Sequence, residues 1–186
     1  MAIGPAEAVG RIIVNICRTL GFTDDALMVL RGVISDSLFP IILMLTNMYV
    51  IPGIITSGRE ATAELNCMIT NIIARCAWYT YYESVGKFDD YVKMFTYGDD
   101  NIFSTRHAAF NAHTMRDFCV QYMGMNYTSA DKYSELQPFT DKHKLSFLKR
   151  EFIYSEEFGR IMAPLNITSL SKPLIWILPS KNVSIS

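Results

Sequence analysis

The sequence of 186 residues predicts an α+β domain made of short antiparallel hairpins and packed helices. Apolar residues recur at helical spacing in several long segments, and short apolar runs bounded by turn residues lie between those segments. One such run leads into Tyr97-Gly98-Asp99-Asp100, a turn sequence that presents two adjacent carboxylates. These three observations make the hairpin around 97–100 the centre of the predicted fold.

The composition indicates a folded protein from a reducing compartment. Half of the residues are hydrophobic and 12% are aromatic, which excludes a disordered chain. The 17 basic and 18 acidic residues give no overall basic footprint, so any surface for nucleic acid must be local. The four cysteines lack Cys-x-x-Cys spacing and are typical of reduced thiols. We see no signal peptide, and the longest apolar run is shorter than the ~20 residues of a membrane span.

The first part of the chain predicts two antiparallel helices over 5–39. Pro5 suits the first turn of the first helix, and Gly21 is a typical residue to follow its end. Thr23 is the expected N-cap of the second helix, and Pro40 ends that helix. No catalytic pattern lies here, so we interpret this segment as scaffold.

A short hairpin over 41–51 and a helix over 60–82 are predicted next. Thr62 and Asn66 are four residues apart and therefore share one face near the start of the helix. Taken alone, this pattern favours capping roles for Ser57 and Thr62 and a solvated Asn66. The predicted apolar face of the helix consists of Ala61, Leu65, Ile69, Ile72, Ile73 and Cys76.

The central hairpin is predicted from an apolar run over 92–96, a tip at Gly98 and Asp99, and an outgoing strand over 101–103. Two carboxylates raised at a hairpin tip offer hard oxygen ligands of the kind that Mg²⁺ prefers. A plain Gly-Asp turn explains the tetrapeptide equally well when it is taken alone.

The remaining segments predict a helix, a loop and a second strand pair. Ser104 or Thr105 is expected to cap a helix that runs to Met123 and ends at Gly124. Strands over 145–148 and 152–154 are predicted on either side of Lys149-Arg150-Glu151, and a last helix over 168–177.

Taken together, the pieces resemble the palm of the RNA-dependent RNA polymerases of picorna-like positive-strand RNA viruses. Four motifs occur in the order of that family, and the similarity covers roughly 52–154. The motifs are Ser57-Gly58-x3-Thr62-x3-Asn66 (motif B), Tyr97-Gly98-Asp99-Asp100 (motif C), the stretch from Met123-Gly124 to Ala130-Asp131-Lys132 (motif D), and Phe147-Leu148-Lys149-Arg150 (motif E).

The resemblance implies a palm-type antiparallel sheet with packed helices, as part of a right-hand polymerase. We expect a partial palm over 1–160, with the helical segment 5–39 adjoining it, and the start of the thumb over 161–186. Two departures stand out: Thr56 replaces a proline found in many relatives, and no motif A with its first catalytic aspartates is present. We therefore expect an isolated fragment of this kind to be inactive without the missing fingers, motif A and thumb segments of the same polyprotein.

The resemblance also implies the roles of individual residues. Asp99 and Asp100 would hold Mg²⁺ or Mn²⁺, and Lys132 would protonate the pyrophosphate leaving group. Residues for the nucleotide and its ribose would be Ser57, Gly58, Thr62 and Asn66. Lys149 and Arg150 would bind the phosphates of the primer strand.

The implied function is template-dependent RNA synthesis during viral genome replication and transcription. Its partners would be template and primer RNA and nucleoside triphosphates, in the host cytoplasm at viral replication complexes. Three alternatives stay open on the sequence: an inactive palm remnant that binds RNA, a reverse transcriptase palm, and a plain structural domain.

Overall fold

The computed structural model describes residues 3–53, 55–56 and 61–175 and confirms the α+β class. The chain divides into two compact units, Met1–Pro138 and Phe139–Ser186. The predicted boundary between palm and thumb at 160/161 is a different division and stays a prediction. Within the described part of the chain, no helix has the length and apolar character needed to cross a membrane.

The predicted antiparallel helices at the start of the chain are confirmed. Helix α1 spans Ile3–Thr19 and helix α2 spans Asp24–Leu38. The hydroxyl of Thr23 accepts a hydrogen bond of 3.3 Å from the amide of Ala26, as expected of an N-cap. The two helices approach closely at Gly10, where an added Cβ would lie 2.6 Å from Cγ2 of Ile34.

Helix α3, Thr62–Tyr82, is the central element of the first unit and packs against α1, against the strand Val92–Tyr97 and against the helix Ala112–Phe118. The predicted apolar face is only partly right, because Cys76 is exposed. The buried side chains extend from Ile69 round one side of the helix to Trp78, and Cys76 lies just beyond the Ile69 edge of this arc. The buried residues of the helix are Ile69, Ile73, Ala74, Ala77 and Trp78.

Two antiparallel hairpins belong to the first unit, and both were predicted. Strands β1 and β2 pair over 41–50, from Ile41↔Val50 to Met44↔Asn47. Strands β3 and β4 form the central hairpin, from Val92↔Thr105 to Tyr97↔Asp100. The strand bounds are Ile41–Met44, Asn47–Val50, Val92–Tyr97 and Asp100–Thr105, and the short helix α4, Phe88–Tyr91, immediately precedes β3.

An aromatic cluster forms the centre of the core. Trp78 is fully buried, and its ring stacks on Tyr91 with 5.3 Å between ring centroids. Phe88 and Phe110 contact the same indole edge-on. The indole N–H donates a hydrogen bond of 2.8 Å to the carbonyl of Gly86, so the buried polar group has a partner.

The prediction that Ser104 or Thr105 caps the next helix is wrong. Both residues lie in β4, where their backbones pair with β3. Helix α5, Ala112–Phe118, starts later and continues through one π-helical segment, Cys119–Met123, to Gly124. Its N-cap is Asn111, whose side chain accepts hydrogen bonds from the amides of His113 and Thr114. Asn111 is extended and lies outside the sheet, so its side-chain oxygen can accept from these amides. The backbones of Ser104 and Thr105 are instead held in β4.

The second unit contains two small hairpins and helix α6, Ile167–Ile175. The predicted arrangement around residues 149–151 is wrong, because Arg150 belongs to a strand that pairs with Phe147. Leu148 and Lys149 form the turn, both with positive φ, at 54° and 61°. The last two residues of the predicted helix, 176–177, lie outside the described residues. The strands are β5 Ser146–Phe147, β6 Arg150–Glu151, β7 Ile153–Ser155 and β8 Arg160–Met162.

The corrected helix start is testable by substitution at the cap. We expect Asn111→Ala to lower the free energy of unfolding by about 1 to 2 kcal/mol, because two helix amides lose their acceptor. The control is Ser104→Ala, an exposed strand position where the change should stay within about 0.5 kcal/mol. Denaturant unfolding of both variants measures the difference, and equal losses would contradict the assignment of the cap.

Candidate active site

The tip of the central hairpin places the two adjacent carboxylates at the surface. Tyr97 and Asp100 form the last pair of the ladder, which leaves Gly98 and Asp99 as the predicted two-residue tip. Gly98 has φ +63°, and no atom lies within 4 Å of the position that a Cβ would take. The glycine is therefore required for backbone conformation and not for space. Asp99 and Asp100 are both exposed.

The chemistry of this tip fits a divalent cation in part. Carboxylate oxygens are suitable ligands for Mg²⁺, which is commonly bound through one or two carboxylates together with phosphate oxygens and water. Across the described ranges, no group of three or more His, Cys, Asp or Glu residues is arranged to hold a metal ion. Asp99 and Asp100 thus offer two carboxylates, and a divalent cation at this tip would need further donors.

Helix α3 holds the tip from one side through side chains that the sequence did not single out. The amide of Gly98 donates to Sγ of Cys67 at 3.1 Å, and the carbonyl of Gly98 accepts from Oγ1 of Thr70 at 3.0 Å. The thiol of Cys67 donates in turn to the carbonyl of Thr96 at 3.4 Å. Both polar groups of the glycine are therefore bound by one helix.

A second set of contacts continues from the same helix toward the start of the hairpin. Nδ2 of Asn71 donates to Oγ1 of Thr96 at 2.9 Å. Arg75 donates to Oδ1 of Asn71 at 3.3 Å and forms an ion pair of 2.6 Å with Asp89. The guanidinium of Arg75 also lies 4.6 Å from the ring centroid of Phe88. These contacts join α3 to the hairpin and to the helix that precedes it.

The predicted nucleotide-binding residues are described in part. Ser57 and Gly58 lie outside the described residues. The hydroxyl of Thr62 donates to the carbonyl of Thr56 at 3.3 Å, which ties the start of α3 to the preceding segment. Oδ1 of Asn66 is buried and has no hydrogen-bond partner within the described structure. The interpretation of Asn66 as a solvated surface amide is therefore wrong.

Lys132 lies in a loop that is organised by the neighbouring aspartate. The carboxylate of Asp131 accepts hydrogen bonds of 2.6 Å from the hydroxyls of Ser129 and Ser134, and also from the amides of Tyr133 and Ser134. These bonds, led by the one from Ser129, hold the pKa of the Asp131 carboxyl well below its usual value. Lys132 itself is exposed and has φ +64°.

The segment before this loop is joined to the central hairpin. The hydroxyl of Tyr127 donates to Oδ1 of Asn101 at 2.8 Å, and Asn101 directly follows the two aspartates in the sequence. Burial is the main cause that raises the pKa of Tyr127 to about 12, while its bond to Asn101 acts in the opposite direction. Tyr127 thus stays a neutral donor at physiological pH and connects the lysine-bearing segment to the hairpin.

The predicted RNA-binding pair lies in the second unit. Lys149 is exposed at the turn between β5 and β6, and its carbonyl accepts from the amide of Asn166 at 2.8 Å. The Arg150 guanidinium donates to the carbonyl of Ala163 at 2.7 Å, so part of its donor capacity is used within the unit.

Part of what sequence reasoning missed was visible as a pattern. Thr62, Asn66 and Thr70 are spaced by four residues and form a polar stripe on α3. Extending the stripe beyond Asn66 would have pointed to Thr70. The partner of that hydroxyl, Gly98, is 28 residues away and could not be assigned from spacing.

Among curated proteins, segments of several viral polyproteins are similar in sequence to this chain. The replicase polyprotein of Drosophila C virus (strain EB) is 31% identical over 130 residues, which is 64% of this chain and 7% of that protein. The genome polyprotein of Rice tungro spherical virus (strain Vt6) is 36% identical over 137 residues, which is 65% of this chain and 4% of that protein. The genome polyprotein of Poliovirus type 3 is 29% identical over 140 residues, which is 73% of this chain and 6% of that protein. The chain thus spans only a small part of these relatives.

A solved structure shares the fold. The chain matches the Sicinivirus 3Dpol RNA dependent RNA polymerase with a TM-score of 0.63 and 22% sequence identity. The match covers 81% of this chain and 31% of the polymerase. The sequence model of the family described as viral RNA-dependent RNA polymerase matches residues 9–184. Because that match covers nearly the whole sequence, and the relatives confirm the resemblance to picorna-like viruses, the chain belongs to the viral RNA-dependent RNA polymerase family.

Proposed function

We propose that this chain is the palm part of an RNA-directed RNA polymerase, which transfers ribonucleotides to a primer under the direction of an RNA template. The supporting observation is a hairpin tip with two exposed carboxylates in a chain that belongs to this polymerase family. The similarity to polyproteins fits a segment of a larger polyprotein. The proposed setting is viral genome replication and transcription, in the host cytoplasm at replication complexes.

Asp99 and Asp100 are the proposed ligands of Mg²⁺, or of Mn²⁺ in its place. When bound, the ions supply charge neutralisation at the phosphates while the primer 3′-hydroxyl attacks the α-phosphate of the nucleotide. Asp99, at the tip, is the main ligand, and Asp100 is a weaker one. A further carboxylate must come from another part of the polymerase, since two are few for two divalent ions.

The first prediction tests this assignment in the complete polymerase. Asp99→Asn should lower primer extension more than ~100-fold, because it removes a ligand charge from the metal site. Asp100→Asn should be less severe. Asp90→Asn is the control, since Asp90 is an exposed carboxylate outside the hairpin, and it should be near normal. Extension by Asp99→Asn at the normal rate would refute the metal site, and RNA binding without extension by the unaltered polymerase would favour the inactive remnant.

The incoming nucleotide is the proposed partner of the motif B residues Ser57, Gly58, Thr62 and Asn66. Its ribose is the proposed partner of Ser57, Thr62 and Asn66. The buried, unpartnered Oδ1 of Asn66 supports this proposal, because a ribose 2′-hydroxyl can donate to it. A deoxyribose would leave that oxygen unpaired, and an unpaired buried acceptor costs about 1 to 3 kcal/mol. The same difference provides selectivity for ribonucleotides.

A second prediction concerns this selectivity. Asn66→Ala should reduce the preference for ribonucleotides over deoxyribonucleotides by about 10-fold, since the acceptor that distinguishes them is gone. The ratio of kcat/KM for the two nucleotide types is the measurement. Asn126→Ala, at an exposed asparagine, is the control and should leave the ratio unchanged. A ratio unaffected by Asn66→Ala would show that Asn66 does not contact the sugar.

Lys132 is the proposed general acid that gives a proton to the pyrophosphate leaving group. Its exposed position in an ordered loop, connected to the hairpin through Tyr127, supports the proposal. Lys149 and Arg150 are the proposed contacts to the phosphates of the primer strand, a role that requires no base readout.

The third prediction separates proton transfer from RNA binding. Lys132→Leu should slow the chemical step by ~10²- to 10⁴-fold, as is typical for the loss of a general acid. Single-turnover rates of extension, measured beside RNA affinity, provide the test, with the exposed Lys142→Leu as the control. A loss of RNA affinity alone would instead identify Lys132 as a phosphate contact.

A further inference from the structure

The hairpin tip is oriented by side chains of helix α3 to which the proposed reaction assigns no role. We propose that Cys67 and Thr70 are positioning residues that fix the backbone of Gly98 and thereby the direction of the Asp99 carboxylate. The inference rests on the proposed function, because the carboxylate matters only if it serves the reaction.

The contacts restrain two consecutive peptide groups. The N–H of Gly98 belongs to the peptide that joins it to Tyr97, and its carbonyl belongs to the peptide that joins it to Asp99. Cys67 accepts from the first at 3.1 Å, and Thr70 donates to the second at 3.0 Å. Both contacts come from one rigid helix, because residues three apart lie on the same helix face. The planes on either side of the glycine are therefore fixed.

The tip needs this restraint. Glycine has more conformational freedom than any other residue, and no atom lies within 4 Å of the position that a Cβ of Gly98 would take. An isolated two-stranded hairpin is only marginally stable in water. The exposed side chain of Asp99 starts from the peptide that Thr70 holds, so its direction follows the orientation of that peptide. Without the contact, the tip would populate the competent orientation for a smaller fraction of the time.

Hydrogen exchange tests the contacts without metal or substrate. In the complete polymerase free of divalent ions, Cys67→Ala should accelerate exchange of the Gly98 amide by about 2- to 10-fold, the equivalent of one hydrogen bond, because it removes the acceptor of that amide. Thr70→Val frees the carbonyl of the same glycine and should accelerate exchange of this amide by a smaller factor, because the whole tip becomes more mobile. The matched control is Thr80→Val, which makes the same chemical change at an exposed position of the same helix. It should leave the exchange rate of the Gly98 amide unchanged.

A magnesium titration tests the role in positioning. Thr70→Val should raise the Mg²⁺ concentration for half-maximal primer extension by about 2- to 10-fold, because apparent affinity falls with the competent fraction. Thr70→Ser keeps the hydroxyl and should restore the value of the unaltered polymerase. Thr80→Val, at an exposed position of the helix, should match the unaltered polymerase. The midpoint is measured because a general loss of folded protein lowers the rate of extension without moving it.

Two outcomes overturn the inference: exchange at Gly98 that is unchanged in both Cys67→Ala and Thr70→Val, or accelerated exchange with an unchanged Mg²⁺ midpoint. Two variants are measured so that a folding defect in one leaves the other as the test. Failure of the proposed function gives a different result, namely full extension by Asp99→Asn, and the exchange measurement does not depend on it.

Discussion

The burial of Trp78 is the constraint on which the first unit depends. Its indole is fully buried, and a buried N–H without an acceptor would cost about 1 to 3 kcal/mol. The carbonyl of Gly86 removes that cost and fixes the turn after α3 against the helix. The same ring stacks on Tyr91, the residue directly before β3. One side chain therefore joins the helix to the turn that follows it and to the residue that precedes the central hairpin.

The geometry of regular structure carries this constraint to the hairpin tip. From Trp78 back to Cys67 the helix rises by about 16 Å, and β3 from Val92 to Tyr97 has about the same length. The helix and the strand are therefore fixed to each other at two points, by aromatic packing at one end and by the contacts of Gly98 at the other. A two-stranded hairpin that is marginal alone thus gains a rigid support at both ends of β3.

Local signals in the sequence predicted the elements well, and long-range contacts account for what it missed. The caps and glycines that bound α1 and α2, and the two-residue tip of the central hairpin, depend on neighbouring residues only. The start of α5 was predicted too early because pairing of Ser104 and Thr105 with β3 overrides their capping tendency. The contact of Cys67 with Gly98 joins residues 31 apart, and no periodicity encodes it.

The polar stripe of α3 combines two kinds of residue within one turn. Thr70 is satisfied inside the protein by the hairpin tip, whereas the buried Oδ1 of Asn66 has no partner within the described structure. Their backbones are separated by a rise of about 6 Å, which the helix keeps constant. On the proposed function, the residue that distinguishes the sugar and the residue that orients the Asp99 carboxylate are held on one rigid element. The helix, and not a loop, then fixes the distance between the two residues. A ribose that binds at Asn66 therefore lies at a fixed position relative to the hairpin tip.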